Sequence, residues 1–470
     1  MRLRDDSSEG LEGPEVTLGL QDVSLLKDKI TTLAVRAENI NVLLDATMTE
    51  WFRKLDLPIL RSLCLTVVHS AYVLTFAEVP KIALGAAQLP HVTELTLDGV
   101  CVPWDTPLFS QLTTLTLANY PSFDPFSAAS SFRRALETWT SLRTLRISRY
   151  LAAFAPESVP RPSSLPQITH LSLNDIPSRI ASFLEHVSLP NATDTLLSNP
   201  STFEAPIFDP KRPSLSTLLG PNTDALTFFQ TAAKRLSITV TAEGLCMVQA
   251  SSSDGSRRVQ LRRTFDLSRH SPKTKVNAQS DLLNDSLASC TAALKPLIES
   301  RSDAVGMDVD GAASPPSFST STIEELVITG PLSAELAPDV VMNLVEALPY
   351  VHSLALFDTA RSAELPAVLD SVLSWEQLPD LRHLVINGMS AYDKSQPIKT
   401  LIVALQGRKR MGIVPLETLT VVFDELPHAT LEEYAKKMEK GLEEAKLDFA
   451  TKIRHLFSRF VDSADVSFKG

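Results

Sequence analysis

One phrase constrains this chain more than any other: Leu-Pro, a free position, an aliphatic residue, two free positions, Leu, a free position, an aliphatic residue. It reads LPILRSLCL from Leu57, LPHVTELTL from Leu89, LPQITHLSL from Leu165, LPYVHSLAL from Leu348 and LPDLRHLVI from Leu378. Ordinary residue usage gives on the order of one chance match per several thousand positions, so five occurrences in 470 residues report a structural period. Without the Leu-Pro requirement the pattern also takes in KITTLAV at Lys29, QLTTLTL at Gln111, SLRTLRI at Ser141, TIEELVI at Thr322 and PLETLTV at Pro415. The first aliphatic positions are Ile30, Leu60, Val92, Leu112, Leu142 and Ile168, in steps of 20 to 32 residues, then Ile323, Val351, Leu381 and Leu416, in steps of 28 to 35. An internal period of this size comes before all other fold reasoning.

Within each copy the apolar residues alternate. In LTTLTLA, Leu115 and Leu117 share one side while Thr114, Thr116 and Ala118 share the other, which is the pattern of a short half-buried strand. Pro suits the start of such a strand and disfavours helix in the residue before it. Between copies lie stretches with helical spacing, FSAASSFRRALETW from Phe126 and APDVVMNLVEAL from Ala337; in the second, Val340, Val341, Leu344, Val345 and Leu348 form one apolar face. Strand, helix and strand again at this period describe stacked turns with parallel inner strands and outer helices.

This pattern resembles the leucine-rich repeat family in the long, irregular form found with F-box proteins, over roughly Ile30 to Val421 with the middle excepted. The Asn expected after each strand is irregular: Asn119, Asn174 and Asn387 sit at varying offsets. SLRTLRISRY and ITHLSLNDIPSRIASFLEHVSLP are also similar to fungal F-box proteins with degenerate repeats. The resemblance implies an α/β fold, a leucine-rich-repeat solenoid of irregular repeats closed by a C-terminal capping helix. It further implies a non-enzymatic substrate-recognition part of an F-box-type ubiquitin ligase adaptor, which would meet the Skp adaptor of a cullin ligase. An F-box, with its Leu-Pro start and Trp-containing end, has no counterpart in the opening MRLRDDSSEGLEGPEVTLGLQDVSLLKDKI. The alternative function is a leucine-rich-repeat regulator, either an inhibitor or a GTPase activator, or a scaffold unconnected to ubiquitin. An activator needs an arginine on a rim loop, for which Arg149 and Arg179 are the candidates.

Composition narrows the partners. A formal charge of −11 argues against nucleic acid, because phosphate binding needs a basic face. The apolar stretch AYVLTFAEVPKIALGAAQLP is interrupted by Glu78, Pro80, Lys81 and Pro90, so it does not span a bilayer as one helix. The N-terminus lacks the apolar core of a secretory signal. Cys64, Cys101, Cys246 and Cys290 lie far apart and read as reduced thiols. The expectation is a monomer in the cytoplasm, without membrane or nucleic-acid partners; GRKRMG from Gly407 offers nuclear entry, although so short a basic run ordinarily sits on a solvated turn.

No catalytic motif is present. There is no GxG, no GxxxxGK followed by Ser or Thr, no GxSxG and no HExxH. His69 is the histidine nearest any cysteine, five residues after Cys64, and zinc needs four converging ligands. No catalytic, cofactor-binding or metal residue is therefore assigned.

The chain divides into a lead-in over 1–29, repeats over 30–190, an irregular repeat with a hairpin over 191–297, a disordered loop over 298–322, repeats over 323–425, and a capping helix with a terminal strand over 426–470. The pattern fades after about Pro190. Apolar alternation on both sides of SSSDGS, with Asp254 and Gly255 suited to a tight turn, marks the hairpin. The loop contains Ser314 before Pro315, a phosphorylation candidate. Thr430 and Glu433 form a capping box ahead of the stripe Leu431, Tyr434, Met438 and Leu442.

What remains for function is the outward side of the strands. It offers Glu94, Thr96 and Asp98, then Thr114 and Thr116, then Thr144, Arg146 and Ser148, then His170, Ser172 and Asn174. Later strands offer Ser353 and Phe357, then His383 and Asn387, then Thr418 and Thr420. Stacked in parallel, these positions would make a concave face that binds a protein ligand by area and shape.

Overall fold

The computed structural model describes residues 2–4, 16–17, 27–37, 56–67, 84, 86–100, 102, 104–119, 132, 134–151, 162–199, 215–220, 223–265, 267, 271–304, 321–332, 337–359, 378–389, 396–423, 435–436 and 441–468. The architecture is mixed α/β with mostly parallel strands. The chain forms two compact units, Met1–Pro200 with Leu218–Asp224, and Ser201–Thr217 with Ala225–Gly470. His69, Cys101, Ser314, Thr430, Leu431, Glu433, Tyr434 and Met438 lie outside the described residues.

In the first unit the strands are β1 (Arg2–Arg4), β2 (Val16–Thr17), β3 (Thr32–Ala37), β4 (Ser62–Val67), β5 (Glu94–Asp98), β6 (Thr114–Ala118), β7 (Thr144–Ser148), β8 (Ser163–Ser164), β9 (His170–Asn174), β10 (Val187–Ser188) and β11 (Asp194–Asn199). Strands β3, β4, β5, β6, β7, β9 and β11 pair in that order, all parallel. Strand β1 adds antiparallel to β3 and β2, and β8 pairs with β10. Register stacks Leu33, Leu63, Leu95, Leu115, Leu145 and Leu171 into one buried column, and Val35, Leu65, Leu97, Leu117, Ile147, Leu173 and Leu197 into a second. Each such side chain contributes about 1.5–3 kcal/mol on burial.

The Leu-Pro phrase has a local structural cause. Leu60 N–H donates to Leu57 O (3.2 Å), Val92 to Leu89 (3.3 Å), Ile168 to Leu165 (3.2 Å), Val351 to Leu348 (3.3 Å) and Leu381 to Leu378 (3.3 Å). Each phrase thus opens with a hydrogen-bonded turn, and Pro occupies the second position, where its fixed φ is already right. The leading Leu and the aliphatic that closes the turn are both buried. Immediately afterwards one carbonyl accepts two N–H groups from the next strand's entrance. Arg61 and Ser62 donate to Thr31 O, Thr93 and Glu94 to Arg61 O, Thr113 and Thr114 to Thr93 O, Arg143 and Thr144 to Thr113 O, and Thr169 and His170 to Arg143 O. The same arrangement recurs in the second unit, at Lys234, Glu324, His352 and Arg382.

Strand exits in the first unit use left-handed residues: Gly99 (φ 69°), Asn119 (φ 51°) and Arg149 (φ 51°). The irregular Asn of the sequence therefore has a backbone role at Asn119, since Asn tolerates this region better than most residues. Helix α1 (Pro177–His186) follows β9 and buries Ile180, Phe183 and Leu184. Trp104, Phe109, Phe132 and Trp139 form an aromatic core, with Phe109 and Trp139 stacked at 4.5 Å.

The pattern extends one strand further than the sequence indicates. Leu189-Pro190 opens another turn, closed by Ala192 N–H on Leu189 O (3.1 Å), and β11 pairs in parallel with β9. Thr195, only 4% exposed, takes the place of the usual Leu, and Ala192 that of the usual aliphatic. Those two substitutions hide the copy in sequence.

The second unit contains α2 (Asp224–Thr231), β12 (Arg235–Val240), β13 (Leu245–Ser251), β14 (Arg258–Thr264), α3 (Pro272–Ala304), β15 (Glu325–Gly330), α4 (Pro338–Glu346), β16 (Ser353–Asp358), β17 (His383–Met389), α5 (Gln396–Arg410), β18 (Leu416–Phe423), α6 (Leu442–Phe457) and β19 (Val461–Phe468). Its strand order is β14, β13, β12, β15, β16, β17, β18, β19; the first three are antiparallel and the remainder parallel. The expected hairpin is β13–β14, its turn held by Ser252 and Asp254 with Gly255 at φ 70°. Strand β12 links that hairpin to the parallel series, pairing with β13 on one side and β15 on the other.

Three expectations are corrected here. Helix α3 runs to Ala304, past the expected start of the loop at 298. It escaped notice because Ser280, Ser286 and Cys290 share its buried face with Leu282, Leu283 and Leu287, breaking the apolar period. Helix α4 ends at Glu346, so Leu348 belongs to the next turn, while Val341, Leu344 and Val345 are buried as the spacing indicates. The basic run GRKRMG ends α5 at Arg410 and passes into an exposed turn at Met411 and Gly412, but its first arginine does not face solvent. Arg408 is 2% exposed and donates to Leu378 O (2.9 Å), Leu381 O (3.1 Å) and Val414 O (3.4 Å). Its burial lowers the guanidinium pKa from its ordinary value. Helix α6 starts at Leu442 with Gly441 as its N-cap, packs on β19, and buries Ala445, Ala450, Ile453 and Phe457.

Candidate functional site

With the leucines turned inward, strand alternation leaves three rows of side chains on the open side of each parallel series. In the first unit the entrance row is Thr32, Ser62, Glu94, Thr114, Thr144, His170 and Asp194. The middle row is Ala34, Cys64, Thr96, Thr116, Arg146, Ser172 and Leu196. The exit row is Arg36, Thr66, Asp98, Ala118, Ser148, Asn174 and Ser198. Glu94, Arg146 and His170 are exposed, while Thr96, Asp98, Thr114, Thr116, Thr144, Ser148, Ser172 and Asn174 are partly exposed. Asn119 Nδ2 donates to Asp98 Oδ1 (2.8 Å) and Asn174 Nδ2 to Ser148 Oγ (3.2 Å). The surface is one of small hydroxyls and amides.

The second unit's rows differ. Its entrance row is Arg235, Glu325, Ser353, His383, Thr418 and Ser463. The middle row is Ser237, Val327, Ala355, Val385, Thr420 and Asp465, and the exit row Thr239, Thr329, Phe357, Asn387, Val422 and Ser467. Thr418 is exposed; Ser353, Phe357, His383, Asn387 and Thr420 are partly so. Ala355, Val385, Phe357 and Val422, each partly exposed, thus give this face an apolar centre beside the buried Val327.

That centre is bordered by a charged rim. Lys234 donates to Glu324, whose second oxygen lies 3.5 Å from His352 Nε2. Arg235 faces Glu325 at 3.5 Å. Arg382 Nη1 lies 3.2 Å from Glu417 Oε1, and His383 Nε2 3.7 Å from Glu417 Oε2. His383 Nδ1 contacts Thr418 Oγ1 at 2.9 Å, and the His352 and His383 rings meet edge to face at 6.4 Å. The hydrogen bond from Lys234 holds the Glu324 carboxyl below its ordinary pKa.

At strand exits two buried carboxylates do matching work. Asp175 Oδ2 accepts Leu151 N–H at 2.9 Å, and Asp358 Oδ1 accepts Leu332 N–H at 3.0 Å. Asp175 also takes Ile176 N–H (2.8 Å) and Arg179 (3.3 Å). Arg179, one of the two rim arginines, is therefore engaged within its own unit.

All seventeen outward residues named from the sequence fall on the open rows, eleven side by side over β5, β6, β7 and β9 and six over β16, β17 and β18. Their common location does not by itself assign them a ligand. Sequence reasoning missed Glu324, His352, Arg382 and Glu417. The signal was there: Lys234, Glu324, His352, Arg382 and Glu417 each stand two residues before a strand's inward Leu.

For chemistry, the described residues contain no group of three or more His, Cys, Asp or Glu side chains arranged to hold a metal ion. Cys246 is buried beside Ser286 (2.7 Å), and burial pushes its thiol up to about 11; burial raises Cys290 further. Neither is a thiolate at neutral pH. A cleft of about 190 Å³, lined by Leu405, Arg408, Lys409, Leu416 and Phe460, is small, and its Arg408 is committed to carbonyls. Among the described residues no helix is long and apolar enough to cross a membrane. No protein-family model matches the chain, and none of the curated proteins matches it.

Proposed function

We propose that this protein is a non-enzymatic protein-binding module of the leucine-rich-repeat kind, whose open strand faces receive another protein. The observation that carries the reading is register. Parallel pairing places one outward side chain from each successive strand into a continuous row, and such rows form extended surfaces suited to recognition by area. In the second unit the apolar centre around Ala355, Phe357 and Val385 lies inside a polar border, the arrangement in which a few desolvated contacts supply most of a binding energy.

By its resemblance to F-box proteins with degenerate repeats, the module serves in this proposal as the substrate-recognition part of a ubiquitin ligase adaptor. Co-purification of the full chain with the Skp adaptor tests that half; no association removes the ligase role and leaves the binding role standing. The binding half is tested with a partner identified by proximity labelling and then measured in purified form. Phe357→Asp with Val385→Asp is expected to weaken that complex at least about tenfold, as charge placed in a desolvated contact does. Unchanged affinity would remove this face from the interface.

A further inference from the structure

We propose that the open face of the first unit, around β7, takes an acidic segment of a partner protein, gripped by Arg146 and Arg149. This rests on the reading of the open faces as protein-binding surfaces and supplies the chemical class of what one of them recognises. The argument begins from a difference in how two sets of arginines are treated. In the second unit, entrance arginines have carboxylates on the neighbouring strand: Arg235 meets Glu325 at 3.5 Å and Arg382 meets Glu417 at 3.2 Å. On the first unit Arg146 has no such neighbour. Its register partners are Thr116 on β6 and Ser172 on β9. The other open-face positions of those two strands are Thr114, Ala118, His170 and Asn174, none of them a carboxylate.

Open-face carboxylates next appear on β5 and β11, each two strands from β7, or about 10 Å away. Asp98 on β5 is already bonded to Asn119. Asp175, which follows β9, is only 2% exposed and accepts Leu151, Ile176 and Arg179. Among the described residues neither Arg146 nor Arg149 has a side-chain partner. Both are exposed in a chain whose formal charge is −11, so they are not part of a generally basic surface.

Geometry gives the pair a spacing. Arg146 is in the middle of β7, and Arg149 stands just beyond its end, at φ 51°, with its N–H on Asn174 O (2.8 Å). Three residues of strand cover about 10 Å, and a ligand in the polyproline II conformation returns to the same side every three residues over about 9 Å, so acidic groups at its positions i and i+3 match the spacing of the two arginines. Each guanidinium can take a carboxylate or a phosphate in a two-pronged hydrogen bond. Thr116, Ser148 and Ser172 add hydroxyl donors beside them.

The test uses the full chain and a fluorescent extended peptide carrying Glu-x-x-Glu in a Gly/Ser background. The comparisons are the same peptide with Gln for Glu and one with phosphoserine for Glu. The Glu peptide is expected to bind and the Gln peptide not. Affinity for the Glu peptide should fall at least about tenfold in the Arg146→Gln, Arg149→Gln double variant, and fall with added salt. Arg36→Gln, on the same face four strands away, should leave it within about twofold, in keeping with screening over that distance. Tighter capture of the phosphoserine peptide would name phosphate as the source of the charge.

Equal binding of Glu and Gln peptides, or full binding by the double variant, overturns the proposal. So does equal uptake of a single-stranded RNA of the same charge, which would reassign the surface to nucleic acid. The peptide contrast on the unaltered protein stands even if the double variant folds poorly. A partner lost on Phe357→Asp but indifferent to both arginines would leave the protein-binding reading intact and remove only the acidic assignment.

Discussion

The two units use the same inward arithmetic and write different things on the outside. Both stack aliphatic columns behind parallel strands and start most of those strands from a carbonyl that accepts two donors. Across the middle row, however, the first unit reads Thr96, Thr116, Arg146, Ser172, and the second reads Val327, Ala355, Val385, Thr420. Inward positions are held by close packing, where one lost methylene is felt, and outward ones mostly by no more than a hydrogen bond to a neighbouring strand, as between Asn174 and Ser148. The difference teaches where to look for function in a chain of this kind: in the side chains that the architecture does not require.

The largest expected effect tests whether strand exits in the two units are interchangeable. Gly388 has φ 90°, and an added Cβ would lie 2.3 Å from Asp358 O. Gly388→Ala should therefore cost about 3–5 kcal/mol, from the left-handed backbone and the clash together, read as a lower midpoint in denaturant. The first unit's Arg149 already holds a side chain at positive φ. A mild Gly388→Ala phenotype would show that the second unit tolerates the same, and the contrast between exits would be lost.

Next in size are the buried carboxylates. Asp175→Ala and Asp358→Ala each strand a backbone N–H, that of Leu151 or Leu332, and each should cost about 1–3 kcal/mol. Similar losses in separate denaturation experiments would establish the two aspartates as one device used in both units; a loss confined to one would separate them.

The smallest effect is the acid response of the second unit's rim. Glu324 has its pKa lowered in the folded state by the hydrogen bond from Lys234. The stability from this pair is therefore fully present above the unfolded carboxyl pKa of about 4.3, and is lost as the pH falls through the folded value. Both side chains are more than a third exposed, so solvent screening keeps the contribution below about 1 kcal/mol. The matching carbonyl positions of the first unit, Thr31, Arg61, Thr93, Thr113, Arg143 and Thr169, include no carboxylate. Glu324→Gln should flatten the corresponding part of a stability profile below about pH 4.3; an unchanged profile there would place the acid response elsewhere.

Much of this organisation was readable in the sequence. The alternation in LTTLTLA and its relatives placed the buried columns and, by subtraction, every outward residue on its face, because a period of two allows no other assignment once one side is buried. What could not be read followed from side chains doing work that periodicity does not encode. Thr195 fills a core position normally held by Leu, so β11 was invisible. Serines on the packed face of α3 broke its apolar stripe while bonding within it, as Ser286 does to Leu282 O at 2.6 Å. Arg408 reads as surface charge, yet it ties three carbonyls around the Leu378 turn. The rim was missed for another reason: pairs such as Arg382 with Glu417 join residues from different copies of the phrase, and only knowledge of the register brings them together.

The doubly accepting carbonyl at the start of most parallel strands has an evolutionary corollary. Since alignment is reset locally at Thr31, Arg61, Thr93 and onward, a connecting segment can gain or lose residues without sliding the strands past one another. Recognition surfaces on such a frame can be rewritten one letter at a time, while the spacers between them drift in length.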